Sequence, residues 1–144
     1  MKGVPMKKVL FLCTGNSCRS QMAEALLNRI GAGRFEAVSA GSRPAGYVHP
    51  LALRLLRQLG HPVEGLRSKS LDEFRDRSFD AVITVCDRAK EACPVWPGAE
   101  MIHWSFEDPA EAVGTDEEKL AVFRRIYNEI LQRLRLYTAL PGQE

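Results

Sequence analysis

Apolar residues along the chain fall into short, nearly continuous runs that alternate with stripes at helical spacing. Residues 8–12 (KVLFL) form the first run, which predicts a strand buried on both faces. Met22, Ala23, Leu26, Leu27 and Ile30 then recur one helical turn apart, after a start near Ser20 and Gln21 and before a stop at Gly31. Residues 35–40 (FEAVSA) alternate as a second strand would, and Gly41 ends it. A turn-rich stretch over 43–48 leads to Pro50, well suited to the first position of a helix. Leu51, Leu55, Leu56 and Leu59 make that helix's buried stripe, and Gly60 stops it. Residues 63–69 read as a loop or weak strand, and Ser70-Leu71-Asp72-Glu73 has the form of a capping box opening a short helix that contains Phe74. A β-rich run over 79–85 (FDAVITV) predicts the third strand, with Cys86 directly at its end. Residues 87–92 are polar, enough for one or two helical turns before Cys93-Pro94, and 100–104 reads as the fourth strand. Thr115-Asp116-Glu117-Glu118 is a second capping box. It opens a long amphipathic helix with Leu120, Phe123, Ile126, Tyr127, Ile130, Leu131, Leu134 and Tyr137 on one side, ended by Pro141-Gly142.

Strands alternating with helices predict the α/β class: a single-domain open sandwich whose four-stranded, mostly parallel sheet is flanked by helices. The domain is expected over 7–140, with a flexible lead-in over 1–6 and a tail over 141–144. Ligands of such sheets bind at the carboxyl ends of the strands. Three features fall there: a loop beginning at Cys13, Cys86, and Asp108-Pro109 after the fourth strand.

Composition narrows the function classes. A chain of 144 residues is long enough for one real core. Twenty basic against 18 acidic residues give a formal charge of +2, too balanced to argue for nucleic acid or an anionic membrane as partner. No stretch approaches a membrane span, and the first residues lack the apolar core of a secretory signal, so a cytoplasmic location is expected; a monomer is expected as well. The four cysteines, Cys13, Cys18, Cys86 and Cys93, could form two disulfides, but a reducing compartment favours catalytic or metal chemistry.

The segment Cys13-Thr14-Gly15-Asn16-Ser17-Cys18-Arg19-Ser20 carries the strongest chemical signal. It joins a buried strand to a helix. Such a loop can curl its successive N–H groups into one concavity, and the helix N-terminus adds donors and positive partial charge. Arg19 adds a planar fork suited to a tetrahedral oxyanion, and the same donors favour Cys13 as a thiolate, its nucleophilic form. A bare C-x5-R match is common by chance. A preceding buried strand, a following helix and Ser20 directly after Arg19 together make it specific. Asp108-Pro109 fits a turn start and a proton donor equally well, with Glu107 the weaker competitor for the second role.

CTGNSCRSQMAE closely resembles the loop of thioredoxin-coupled arsenate reductases, which share the fold of low-molecular-weight protein tyrosine phosphatases. The resemblance continues through Ser39-Ala40-Gly41, Cys86, Cys93, His103-Trp104 and Asp108-Pro109, nearly the whole chain. It implies Cys13 as nucleophile, with arsenate held by Arg19 and the backbone N–H groups of the loop from Thr14 through Gly15, Asn16, Ser17 and Cys18. It also implies that Ser20 hydrogen-bonds the Cys13 thiolate and that Asp108 is the general acid. Under the same resemblance Cys86 attacks the arsenylated Cys13, arsenite leaves, and a Cys13–Cys86 disulfide remains. Cys93 then moves that bond to Cys86–Cys93, and thioredoxin, the external reductant, reduces it. Cys18 is not required by the family and reads as a packed, oxidation-sensitive thiol. Zinc ranks low, because a second ligand pair would have to use Cys13 itself.

Some family members hold potassium through residues matching Asn16, Glu24 and Ser39 plus an Asp. This chain has Lys69 there and no Asp until Asp72, so Lys69 can supply the charge and no metal or bound cofactor is expected. His49, His61 and His103 lack ligand spacing, and a structural role is expected for His103, Trp96 and Trp104. The rival function is a phosphatase acting on phosphotyrosine. Against it stand the C-x6-C pair, Gln21 where the phosphatases usually carry Pro, and Ala110-Glu111 where they tend to place tyrosines. Weak phosphatase activity is still expected, since phosphate esters present the same anion. A non-enzymatic oxyanion or thiol sensor ranks last, because no partner-binding module accompanies the loop.

Overall fold

The computed structural model describes residues 6–85 and 96–140. Strand β1 spans Lys7–Cys13, helix α1 Arg19–Ile30, β2 Phe35–Gly41 and α2 Pro50–Gln58. A 3-10 turn at Leu71–Phe74 precedes β3, Ala81–Thr84, and β4, Glu100–His103. A second 3-10 turn at Pro109–Glu111 leads to α3, Asp116–Ala139. The four expected strands and the helices expected after the Cys13 loop, at Pro50 and at Thr115 are present. Cys86, Cys93 and the expected helical turns over 87–92 lie outside the described residues, as do the first five residues and Pro141-Gly142.

The sheet is parallel throughout, in the order β2-β1-β3-β4. From β1 the chain passes outward to β2, then crosses back over β1 to β3. The order therefore reverses between β1 and β3, and the crevice at their carboxyl ends is where such sheets bind ligands. Cys13 is the last residue of β1, and its neighbour Leu12 is paired with Thr84, the last residue of β3.

The central strands β1 and β3 read as apolar runs because both faces are covered: Val9, Leu10, Phe11, Val82 and Ile83 are fully buried. Helix α3 packs on both α1 and α2, and its Phe123, Ile126, Ile130 and Leu134 are fully buried. Its Thr115 cap is a reciprocal box with Glu118, as expected. The box expected at Ser70 forms only in part. Ser70 accepts from the Asp72 N–H, but Glu73 turns away to pair with Arg67, and only a 3-10 turn results. Strand β3 is shorter than its apolar run, with Phe79 packed before it against Phe74 and Trp96. The weak strand considered for 63–69 is a loop, joined to the sheet by a single bridge between Gly41 and Ser70. Among the described residues no helix is long and apolar enough to cross a membrane.

Candidate active site

The loop between β1 and α1 is shaped by what holds its carbonyl groups. Those of Thr14, Gly15 and Ser17 accept from the N–H groups of Arg43, Ala45 and His49, at 2.9, 2.9 and 3.0 Å. The Ser68 hydroxyl donates to the Gly15 carbonyl as well. The Asn16 carbonyl accepts from the Gln21 side chain at 2.9 Å. With the carbonyl edge committed in this way, the N–H edge of the loop is turned the other way, forming a concavity at the start of α1.

Asn16 is the pivot. It is fully buried and is the one non-glycine residue with positive φ (50°) among the described residues. Asparagine tolerates that left-handed conformation better than most residues. Its side-chain amide donates to Ser20 Oγ (2.8 Å) and Ser39 Oγ (2.9 Å), and its Oδ1 accepts from the Lys69 backbone N–H (2.9 Å). Ser39 passes the connection on, donating to Glu24 Oε1 at 2.6 Å, and Lys69 Nζ stands 3.7 Å from the same oxygen. Burial pushes the Glu24 carboxyl up and the Lys69 ammonium down, each shift opposed by the partner's charge. Among the described residues no group of three His, Cys, Asp or Glu could hold a metal ion.

Gly41 closes the floor. It pairs in register with Cys13, and a Cβ there would stand 2.6 Å from the Thr14 carbonyl oxygen and 3.1 Å from the Asn16 backbone nitrogen. Backbone on backbone has no rotamer to yield. Gly41→Ala is therefore expected to cost about 1–3 kcal/mol in urea denaturation and to distort the loop. Wild-type stability in that variant would mean that the loop gives way freely.

Arg19 opens α1 and reaches across the crevice to the segment after β4. Its guanidinium donates to the Phe106 carbonyl at 3.0 Å and lies 3.5 Å from Asp108 Oδ2. Arg19 and Asp108, 89 positions apart, thus meet over the same concavity. Asp108 also caps the turn that Pro109 begins, accepting from the Ala110 N–H, as the turn-start reading expects. Glu107 is turned outward onto Arg125. Cys13 is buried at the loop's base, as is Cys18 beside the Ser17 hydroxyl at 3.6 Å. Burial pushes the Cys18 thiol up to about 12, so it is a neutral, poor nucleophile at pH 7.

The structure thus brings Cys13, the loop residues Thr14 to Cys18, Arg19, Ser20 and Asp108 to one end of the sheet. His103 is tied to Thr84 at 2.6 Å, and Trp96 and Trp104 are buried in packing, in keeping with their expected structural roles. The sequence reading missed the supporting shell: Ser68 beneath Gly15, the backbone of 43–49 beneath the loop, and Gln21 against Asn16. Gln21 was noticeable only as a departure from Pro. Ser68 carried no local signal.

A cysteine at the switch point of a parallel sheet, at the base of the loop that opens α1, with Arg19 and Asp108 paired across it, is the arrangement on which the comparisons bear. The chain belongs to the low molecular weight phosphotyrosine protein phosphatase family, whose model matches residues 8–141. It is 42% identical to an arsenate reductase of Halalkalibacterium halodurans over 91% of this chain and 94% of that one. It is similar in structure to an arsenate reductase in a phosphate-binding state, at a TM-score of 0.77 and 34% identity, covering 93% and 98% of the two chains. A thioredoxin-dependent arsenate reductase of Corynebacterium glutamicum superimposes at a TM-score of 0.67 and 32% identity, over 94% of this chain and 65% of that one.

Proposed function

We propose that this protein reduces arsenate to arsenite. The observation that carries the reading is the meeting of Arg19 and Asp108, 3.5 Å apart, over the loop that starts at Cys13. On this reading Cys13 is the nucleophile, Arg19 the oxyanion clamp and Asp108 the acid. Whole-length similarity to arsenate reductases supports arsenate as the oxyanion.

In this mechanism the loop N–H groups and Arg19 hold the oxyanion, and Ser20 steadies the Cys13 thiolate. The thiolate bonds to arsenic while Asp108 protonates the departing hydroxide. The Cys86 thiolate then attacks the Cys13 sulfur. The sulfur–arsenic pair stays with arsenic, which leaves as As(III), and the two thiols have supplied both electrons. Attack of Cys93 on Cys86 returns Cys13 as a thiol and leaves Cys86–Cys93 as the disulfide that thioredoxin reduces. The protein acts as a cytoplasmic monomer without a resident cofactor.

Hydrolysis of phosphotyrosine is the second reading, favoured by the family's name and by the tetrahedral shape that phosphate esters share with arsenate. Arsenate-dependent NADPH consumption with thioredoxin and thioredoxin reductase separates the two. Wild type is expected to turn over repeatedly, whereas Cys86→Ser and Cys93→Ser lose multiple turnover. Variants that cycle like wild type would remove the relay. Hydrolysis of an aryl phosphate with no arsenate-dependent oxidation would leave the phosphatase.

A further inference from the structure

We propose that Gln21 is a positioning residue for oxyanion binding: its side-chain amide fixes the Asn16–Ser17 peptide so that the Ser17 N–H faces the bound anion. The inference rests on the oxyanion-site reading above and deepens it.

Gln21 is fully buried in the first turn of α1. Its Nε2 donates to two main-chain carbonyls, Asn16 at 2.9 Å and Arg67 at 2.8 Å. Carbonyl oxygens only accept, so the amide can stand only one way round, with its nitrogen toward both. Its Oε1 is left buried without a hydrogen-bond partner. A buried unpaired amide oxygen is unfavourable, and a smaller or apolar side chain would avoid it. What the glutamine gains is control of one peptide plane. The Asn16 C=O and the Ser17 N–H belong to the same planar peptide and point in opposite directions. Holding the carbonyl against the core aims the N–H out of it, into the concavity.

The second bond fixes the clamp to its surroundings. The Arg67 carbonyl also accepts from Lys69 Nζ at 3.0 Å, and Lys69 faces Glu24, which accepts from Ser39, which accepts from Asn16. Gln21 completes a closed ring of contacts through these residues and back to Asn16. The left-handed turn at Asn16 is thereby held from its side chain by Ser39 and Ser20, and from its main chain by Gln21.

The test is the affinity for inorganic phosphate, measured by calorimetry well below each variant's melting temperature. Gln21→Met keeps the side chain's length and removes both donors. It is expected to weaken phosphate binding about tenfold, as for loss of one well-aimed donor to an anion. Gln21→Glu keeps the shape and decides the matter if the Met variant does not fold. A carboxylate cannot donate to the two carbonyls, but its protonated form can donate to one. Its deficit against wild type is therefore expected to be full at pH 8 and smaller at pH 6. Phosphate affinity within twofold of wild type in either folded variant would overturn the proposal, as would a Glu deficit that does not change with pH. If wild type itself binds no phosphate, the oxyanion-site reading fails instead.

Discussion

Cys13→Ser is expected to abolish arsenate-dependent turnover altogether while leaving inorganic phosphate binding close to wild type. The two halves of this result come from different parts of the loop. In the proposed mechanism oxyanion binding draws on backbone N–H groups shaped by the bonds to Arg43, Ala45, His49 and Gln21, and on Arg19. These bonds all end on main-chain carbonyls. Reduction, in contrast, needs a sulfur at position 13 twice, first to bond arsenic and then to receive the attack that releases As(III). A hydroxyl is not ionised at neutral pH and forms no disulfide, so neither step has a substitute. Aryl phosphatase activity, if wild type has it, is expected to fall by roughly 10⁴- to 10⁶-fold, the scale seen when a catalytic nucleophile is removed. The measurement pairs the thioredoxin-coupled assay and an aryl phosphate assay with phosphate calorimetry. Retained phosphatase activity would remove Cys13 as the nucleophile. Lost phosphate binding in a folded variant would mean that the thiol, rather than the backbone, builds the concavity.

The loop of this candidate site is legible in the sequence because it is local. Cys13 to Ser20 are contiguous, and the strand before them and the helix after them are strong periodic patterns. The pairing of Arg19 with Asp108 was less so. Pattern alone put Asp108 at a strand end, but only the sheet order β2-β1-β3-β4 brings that end beside β1 through β3. The supporting shell was the least visible. Ser68, Gln21 and the backbone of 43–49 act through long-range hydrogen bonds, which leave no periodicity and no spacing rule. Lys69 was noticed by comparison with the family's potassium site, and its meeting with Glu24 depends on the Gly41–Ser70 bridge that folds the 67–70 loop against β2. The capping sites show the same limit. Thr115 forms its box because Glu118 folds back onto the Thr115 N–H, whereas Glu73 is taken by Arg67, six positions earlier and outside the box.

Lys69→Met is expected to be the most destabilising single substitution in the shell beneath the loop, by about 3–5 kcal/mol at pH 8. Glu24 and Lys69 have side chains only 13% and 7% exposed, and the ammonium is 3.7 Å from the carboxylate. Removing it leaves Glu24 with hydrogen bonds from Ser39 but only the exposed guanidinium of Arg67 as an opposing charge, in a site where burial already pushes its carboxyl up. The pH dependence follows from that direction. In the unfolded chain the carboxyl titrates near its ordinary value of about 4.3, and in the folded variant it titrates above that value, further up than in wild type. A group whose folded-state pKa is raised binds its proton more tightly when folded. The variant's stability is thus retained below the unfolded value and lost as pH rises toward and through the folded one. Urea denaturation is therefore expected to show a deficit against wild type that is small near pH 5 and full at pH 8. Glu24→Gln in the same chain should recover most of the loss, since a neutral amide can still meet Ser39. Added potassium should stabilise Lys69→Ala, in which space is opened beside Glu24, more than it stabilises wild type. A deficit equal at both pH values, or no recovery in the double variant, would show that Lys69 contributes packing rather than charge.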